Sequence, residues 1–143
     1  MPTSRATAVW EGKLKDGQGT FRAASGTSTG RYSFQTRFEG RPGATPEELI
    51  AAAHASCFAM ALSAGLEQAG TPATRVEAEA ACTIETVDGA PRITTIMLTV
   101  RGTVPGVGQA AFERAAQAAR DNCPVSQALK GNVEVRLEAK LAP

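Results

Sequence analysis

Three cysteines and a single histidine carry most of the reactive chemistry available to this sequence: Cys57, Cys82, Cys123 and His54. A cysteine acts as nucleophile or metal ligand through its thiolate, so its surroundings decide its role. Cys82 alternates with Ala80 and Ile84 on the apolar face of a strand pattern and reads as a small buried hydrophobe. Cys57 lies one helical turn after His54 on the same face, a pairing that suits packing as readily as chemistry. His54 and Cys57 lack convincing further ligands for zinc, which takes about four. Cys123 precedes Pro124 at a helix start, where unpaired N–H groups and the helix dipole favour a thiolate. A cysteine can equally cap such a helix passively. Two thiols on separate helices, neither in a metal-type C-x-x-C, suit a nucleophilic cysteine and a resolving partner.

The compartment bears on that reading. Three cysteines are too few and too unevenly spaced for a secreted disulfide framework. Met1 to Trp10 lacks the apolar run of a secretory signal, so a cytoplasmic protein is expected. There, a disulfide-forming pair reads as catalytic or redox-sensing.

The elements that must position these residues follow from patterning. The chain has 143 residues, 43% hydrophobic and 20% charged, with a net charge of +1. At roughly 100–200 residues per domain this predicts one domain spanning residues 1–143. The charge balance offers no electrostatic footprint for nucleic acid or an anionic membrane. Ala6 to Lys15 and Gln18 to Ala24 read as strands joined by the hairpin signal Asp16-Gly17. Arg31 to Phe38 alternates and predicts a third strand, which places Arg37 on a sheet. A helix then opens with Thr45 as N-cap, Pro46 at the first position and Glu48 completing a capping box, and stops at Gly70. Arg75 to Val87 and Ile93 to Val104 form strands about Asp88-Gly89. Val107 to Asp121 is helical, a short helix follows Cys123-Pro124, and Val133 to Leu141 is a last strand.

The order β-β-β-α-β-β-α-β predicts an α+β fold with mainly antiparallel sheet. The uncharged run from Leu49 to Leu66 approaches the length of a membrane span, but strand-rich surroundings favour a buried core helix over a membrane partner. That is more core than one small chain readily surrounds, so a homodimer burying the central helices is expected.

The segments TRFEG (Thr36 to Gly40), PEELIAAAHASCFAMALS (Pro46 to Ser63) and NCPVSQALK (Asn122 to Lys130) resemble the OsmC/Ohr family, the osmotically inducible and organic hydroperoxide resistance proteins. Trp10-Glu11-Gly12 also resembles the OsmC branch. The resemblance implies an intertwined homodimer and a thiol peroxidase that reduces organic hydroperoxides, and hydrogen peroxide less well, without cofactor or metal. It makes Cys57 the peroxidatic residue and Cys123 the resolving one, with a Cys57–Cys123 disulfide as the intermediate. It assigns Arg37 and Glu47 as assistants of the peroxidatic thiol. An external dithiol, such as a dihydrolipoyl group, is the implied reductant.

A free thiol has a pKa of about 8.5, so a guanidinium at Cys57 would raise the reactive fraction at neutral pH. Glu47 would hold that guanidinium through charge-assisted hydrogen bonds. At about 1.5 Å per residue, however, Glu47 and Cys57 stand about 15 Å apart along one straight helix. For both to serve one site, either the helix breaks or Glu47 comes from a partner subunit. Apolar side chains near Cys57, among them Ile50, Phe58 and Met60, are expected to shape a pocket for the organic tail. Two other functions fit the same residues. One is a non-enzymatic redox sensor or binding module that uses the cysteine pair as a switch. The other is a hydrolase with a Cys57–His54 dyad, for which no orienting third group is evident.

Overall fold

The two hairpin signals have different outcomes in the computed structural model, which describes all residues from Met1 to Pro143. Asp88 and Gly89 adopt φ values of 51° and 81° and pair Val87 with Ala90 across a two-residue turn. A positive φ at both central residues is what a tight hairpin of this twist requires. Asp16-Gly17 does not act alone. The strand before it ends at Glu11, Gly12 turns at φ 94°, and Gly17 N–H donates to the Lys13 carbonyl at 2.7 Å.

The chain falls into two compact units, Met1–Leu49 and Ile50–Pro143. In the first, β1 (Ala6–Glu11), β2 (Gln18–Ala23) and β3 (Thr29–Tyr32) form an antiparallel sheet in sequence order. The third strand is shorter than its alternation predicts, because Phe34–Phe38 forms a helix, α1. Ser33 caps it: its Oγ accepts from Thr36 N–H at 3.2 Å while Thr36 Oγ1 accepts from Ser33 N–H at 2.9 Å. This reciprocal cap satisfies two otherwise orphaned donors. Phe34 and Phe38, one turn apart, then pack in a tilted pair with ring centroids 5.1 Å apart. Arg37 therefore sits on a helix rather than a strand.

The long helix α2 (Pro46–Gln68) starts and stops where its signals place it. Thr45 Oγ1 accepts from Glu48 N–H at 3.0 Å. At the other end Gly70 takes φ 81°, with Thr71 N–H donating to Leu66 O and Gly70 N–H to Glu67 O. That is the Schellman arrangement, which needs the left-handed conformation glycine adopts freely. The helix is continuous, so a break between Glu47 and Cys57 does not occur. By length and composition it could cross a membrane. Within the single chain it buries one stripe, His54, Phe58, Leu62 and Leu66, and leaves Ala53, Ser56, Met60 and Ala64 exposed.

The second unit builds its sheet from β4 (Arg75–Val87), β5 (Ala90–Thr103) and β6 (Glu134–Leu141). β4 and β5 pair antiparallel, while β6 runs parallel to β5. Two helices, α3 (Gln109–Asn122) and α4 (Pro124–Leu129), supply the crossover that a parallel pairing requires. The fold is thus α+β with mostly antiparallel pairing; α4 is the short helix expected after Cys123-Pro124, and α1 is the helix that the patterning does not predict. Phe58, Leu62 and Leu66 of α2 form one core with Ile96, Leu98 and Val100 of β5 and Phe112 and Ala116 of α3. Gly102 is small for a packing reason: a Cβ there would stand 2.5 Å from the Phe112 ring.

Candidate active site

The candidate site residues fall into two pairs, one in each unit. In the first, Arg37 Nη2 donates to Glu47 Oε1 at 2.6 Å, and Arg37 Nε donates to both carboxylate oxygens at 3.0 and 3.2 Å. Two guanidinium nitrogens on one carboxylate hold the fork in a single plane. Thr36 makes the meeting possible by donating from Oγ1 to the Ala44 carbonyl at 2.9 Å, which turns the intervening loop back on α1. The Arg37 side chain is 34% exposed and that of Glu47 is 7% exposed. A nearly buried carboxylate thus anchors a guanidinium that still reaches solvent.

Around Arg37 the first unit forms an apolar cavity of about 220 Å³, lined by Trp10, Leu14, Tyr32, Phe34 and Phe38. The Phe38 ring centroid lies 5.2 Å from the guanidinium carbon. The expected pocket residues behave differently. Phe58 is fully buried in the core, Ile50 packs against that core, and Met60 is exposed. Sequence reading centred on Cys57 overlooked the aromatic wall. A signal for it exists: the chain has only one Trp, one Tyr and five Phe, yet Trp10, Phe21, Tyr32, Phe34 and Phe38 all precede Gly40.

In the second unit the fold brings Cys57 of α2 and Cys123 close enough for their side chains to interact. No disulfide joins them. Burial, above all, pushes the Cys57 thiol up from its ordinary pKa, and the Cys123 sulfur adds to the rise; the Val125 backbone N–H works in the opposite direction. Cys123 is fully buried and ends α3 while capping α4. Its Sγ accepts from Ser126 N–H at 3.3 Å and lies 3.2 Å from Ser126 Oγ. Cys82 lies on β4, half-buried against the core.

His54 does not pair with Cys57. It is fully buried, its Nε2 lies 2.7 Å from Ser126 Oγ, and its Nδ1 has no partner. Burial lowers its pKa, which favours the neutral ring at neutral pH. A Cys57–His54 dyad is therefore not what the geometry provides. Ser126, which sequence reading passed over, links the histidine to the second thiol. No three His, Cys, Asp or Glu side chains are grouped so as to hold a metal ion.

Comparison with known proteins places this geometry. A family model described as OsmC-like protein matches residues 38–138. The chain is 42% identical over 137 residues to the peroxiredoxin OsmC of Escherichia coli (strain K12), covering 95% of this chain and 96% of that protein. It is 32% identical over 104 residues to the organic hydroperoxide resistance protein OhrB of Bacillus subtilis (strain 168), covering 71% and 74% of the two chains. The crystal structure of OhrB from Bacillus subtilis superimposes with a TM-score of 0.79 at 27% identity, over 96% of this chain and 98% of that one. In sequence and in fold, the chain belongs to the OsmC family.

Proposed function

We propose that the protein is a cysteine-based peroxidase that reduces organic hydroperoxides, with hydrogen peroxide a poorer substrate. The observation that carries this reading is that the fold brings the free thiols of Cys57 and Cys123 into interaction. The relatives' names, a peroxiredoxin and an organic hydroperoxide resistance protein, support the reaction class. In the reaction, the Cys57 thiolate attacks the peroxide O–O bond, releases the alcohol and becomes a sulfenic acid. Cys123 condenses with it, giving the disulfide and water. An external dithiol, such as a dihydrolipoyl compound, then reduces the pair.

A thiol held above its ordinary pKa by burial is a poor nucleophile near neutrality, so the reading requires a cation. Arg37, fixed by Glu47, is that cation, and the aromatic cavity beside it takes the organic tail. Because α2 is continuous, Glu47 and Cys57 of one chain are about 15 Å apart along the helix, too far for one carboxylate to serve both ends. The working unit is therefore a homodimer, in which Arg37 and Glu47 of one subunit complete the thiol site of the other. The exposed, uncharged face of α2 around Ala53, Ser56 and Met60 supports an interface between copies.

Turnover of cumene hydroperoxide with a dithiol tests the reading. Many equivalents consumed per chain mark an enzyme, whereas one equivalent marks a redox switch. Cys57→Ser should abolish turnover, and an unchanged rate would refute the assignment. Cys123→Ser should still react once with peroxide but recycle slowly and over-oxidise. Met60→Glu, which places a charge on the exposed face of α2, should yield an inactive monomer by sedimentation and turnover. A fully active monomer would sink the composite site.

A further inference from the structure

The attack on peroxide proposed above uses Cys57 and a cation, and leaves His54 and Ser126 of the buried chain His54–Ser126–Cys123 without a role. Its geometry is nevertheless continuous. His54 Nε2 lies 2.7 Å from Ser126 Oγ, and Ser126 Oγ lies 3.2 Å from Cys123 Sγ. His54 and Cys123 are fully buried, and Ser126 is nearly so. A buried histidine ordinarily satisfies both ring nitrogens, because an unpaired one has given up its hydrogen bond to water. Here only Nε2 has a partner, and that partner is a hydroxyl that also touches the thiol.

We propose that Ser126 and His54 form a proton relay serving Cys123 in the disulfide-forming step, a role that rests on the peroxidase reading above. A serine hydroxyl donates one proton while accepting another, so it can pass a proton without holding charge. Before reaction the Cys123 S–H donates to Ser126 Oγ, whose own proton points to His54 Nε2. As Cys123 attacks, its proton moves to Ser126 and the serine's proton moves to His54, leaving a thiolate and an imidazolium. The thiolate displaces hydroxide from the Cys57 sulfenic acid: the S–S bond forms and the S–O bond breaks. The Cys123 sulfur is oxidised and the sulfenic sulfur reduced. The proton returns through Ser126 to the hydroxide and leaves as water. Ser126 touches a reacting atom, while His54 acts through it as a positioning and proton-holding residue.

The surroundings suit a neutral relay. The titratable groups that meet it are the thiols Cys123 and, beyond it, Cys57. On α2 and α3, Glu67, Glu113 and Arg114 are exposed, and the half-buried Arg120 pairs with exposed Asp121. Lys130 after α4 is exposed, as are the charged side chains of β4, β5 and β6. Burial keeps His54 unprotonated at neutral pH and so able to accept.

The test separates the two chemical steps in single turnover. Reduced protein receives one equivalent of cumene hydroperoxide. Sulfenic acid is trapped with dimedone, and disulfide is read by mass spectrometry. Ser126→Ala and His54→Gln should leave sulfenic acid formation within about twofold of wild type yet slow disulfide formation at pH 7 by about a hundredfold, the lower range for a lost general base. His54→Gln keeps a hydrogen-bonding side chain that cannot take up the proton, and Ser126→Thr, which keeps the hydroxyl, should restore the rate. Disulfide formation at the wild-type rate in either Ser126→Ala or His54→Gln overturns the relay. So does a defect in Ser126→Ala that Ser126→Thr shares in full, since the relay requires only the hydroxyl. Failure of wild-type Cys57 to form sulfenic acid would instead overturn the peroxidase reading.

Discussion

The two pairs of polar residues solve opposite problems with the same tool, a hydrogen bond to a reactive or charged atom. In Met1–Leu49, Glu47 is nearly buried so that Arg37, still a third exposed, keeps its charge in a fixed direction. In Ile50–Pro143, His54, Ser126 and Cys123 lie out of water, Cys57 is half-buried, and burial shifts both the Cys57 thiol and the His54 imidazole towards their neutral forms. One pair presents charge and the other suppresses it. The proposed peroxidase uses both: a guanidinium to ionise the Cys57 sulfur that burial otherwise holds neutral, and a neutral His54 able to accept a proton. Separating these tasks in different units lets each environment be tuned without spoiling the other.

Removing the guanidinium is the most severe way to break this division. Arg37→Ala should lower kcat/KM for cumene hydroperoxide by about two to three orders of magnitude, the usual loss for a fixed charge at a reacting centre. The loss should fall on sulfenic acid formation alone. Once sulfenic acid is present, its conversion to disulfide should proceed as in wild type, the reverse of the Ser126→Ala pattern. A deficit shared equally by both steps would show that the pairs do not divide the work.

Glu47→Gln is milder and sharper. It leaves Arg37 charged but replaces three charge-assisted contacts with weaker neutral ones. The peroxide step should slow by about tenfold, with much of the loss recoverable by Glu47→Asp only if the shorter carboxylate still meets the fork. Arg37→Ala, by contrast, strands a nearly buried carboxylate. It should cost about 1–3 kcal/mol of stability, discounted from a fully buried pair because the guanidinium is partly solvated. Urea midpoints of the two variants check the difference.

How much of this was legible beforehand depended on the reach of each signal. The turn Asp88-Gly89 and the ends of α2 are set by residues within a few positions of one another, and they form as read. Arg31 to Phe38 misled because two-residue alternation and a four-residue aromatic spacing coexist in it. The decisive cue was a cap made by Ser33 and Thr36 in place of the commoner Glu. Cys57 and Cys123 stood out as a pair by type and context. Ser126 did not, because a serine in the first turn of a short helix is unremarkable until His54, distant in sequence, is found against it. The uncharged run of α2 signalled more core than one chain surrounds, but which face is left exposed depends on its packing against β5 and α3, which the run itself does not encode.

The smallest expected effect concerns stability, and it isolates the suppressed charge. Burial sets the folded-state pKa of His54 below that of the unfolded chain, for which an ordinary histidine value is about 6.5. Between those two values the unfolded chain binds a proton that the folded protein refuses. The stability linked to His54 is therefore complete above about pH 6.5 and is lost as pH falls towards the folded value. Urea unfolding of wild type and His54→Gln across this window measures the contribution directly. The variant should be less stable near neutrality, because glutamine packs less well in the imidazole's place, but its stability should decline less on acidification. The two curves should converge as pH falls, by about 1 kcal/mol or more for each unit by which burial separates the two values. Parallel curves would mean that His54 takes up its proton without unfolding, and the second unit would then tolerate charge as readily as the first.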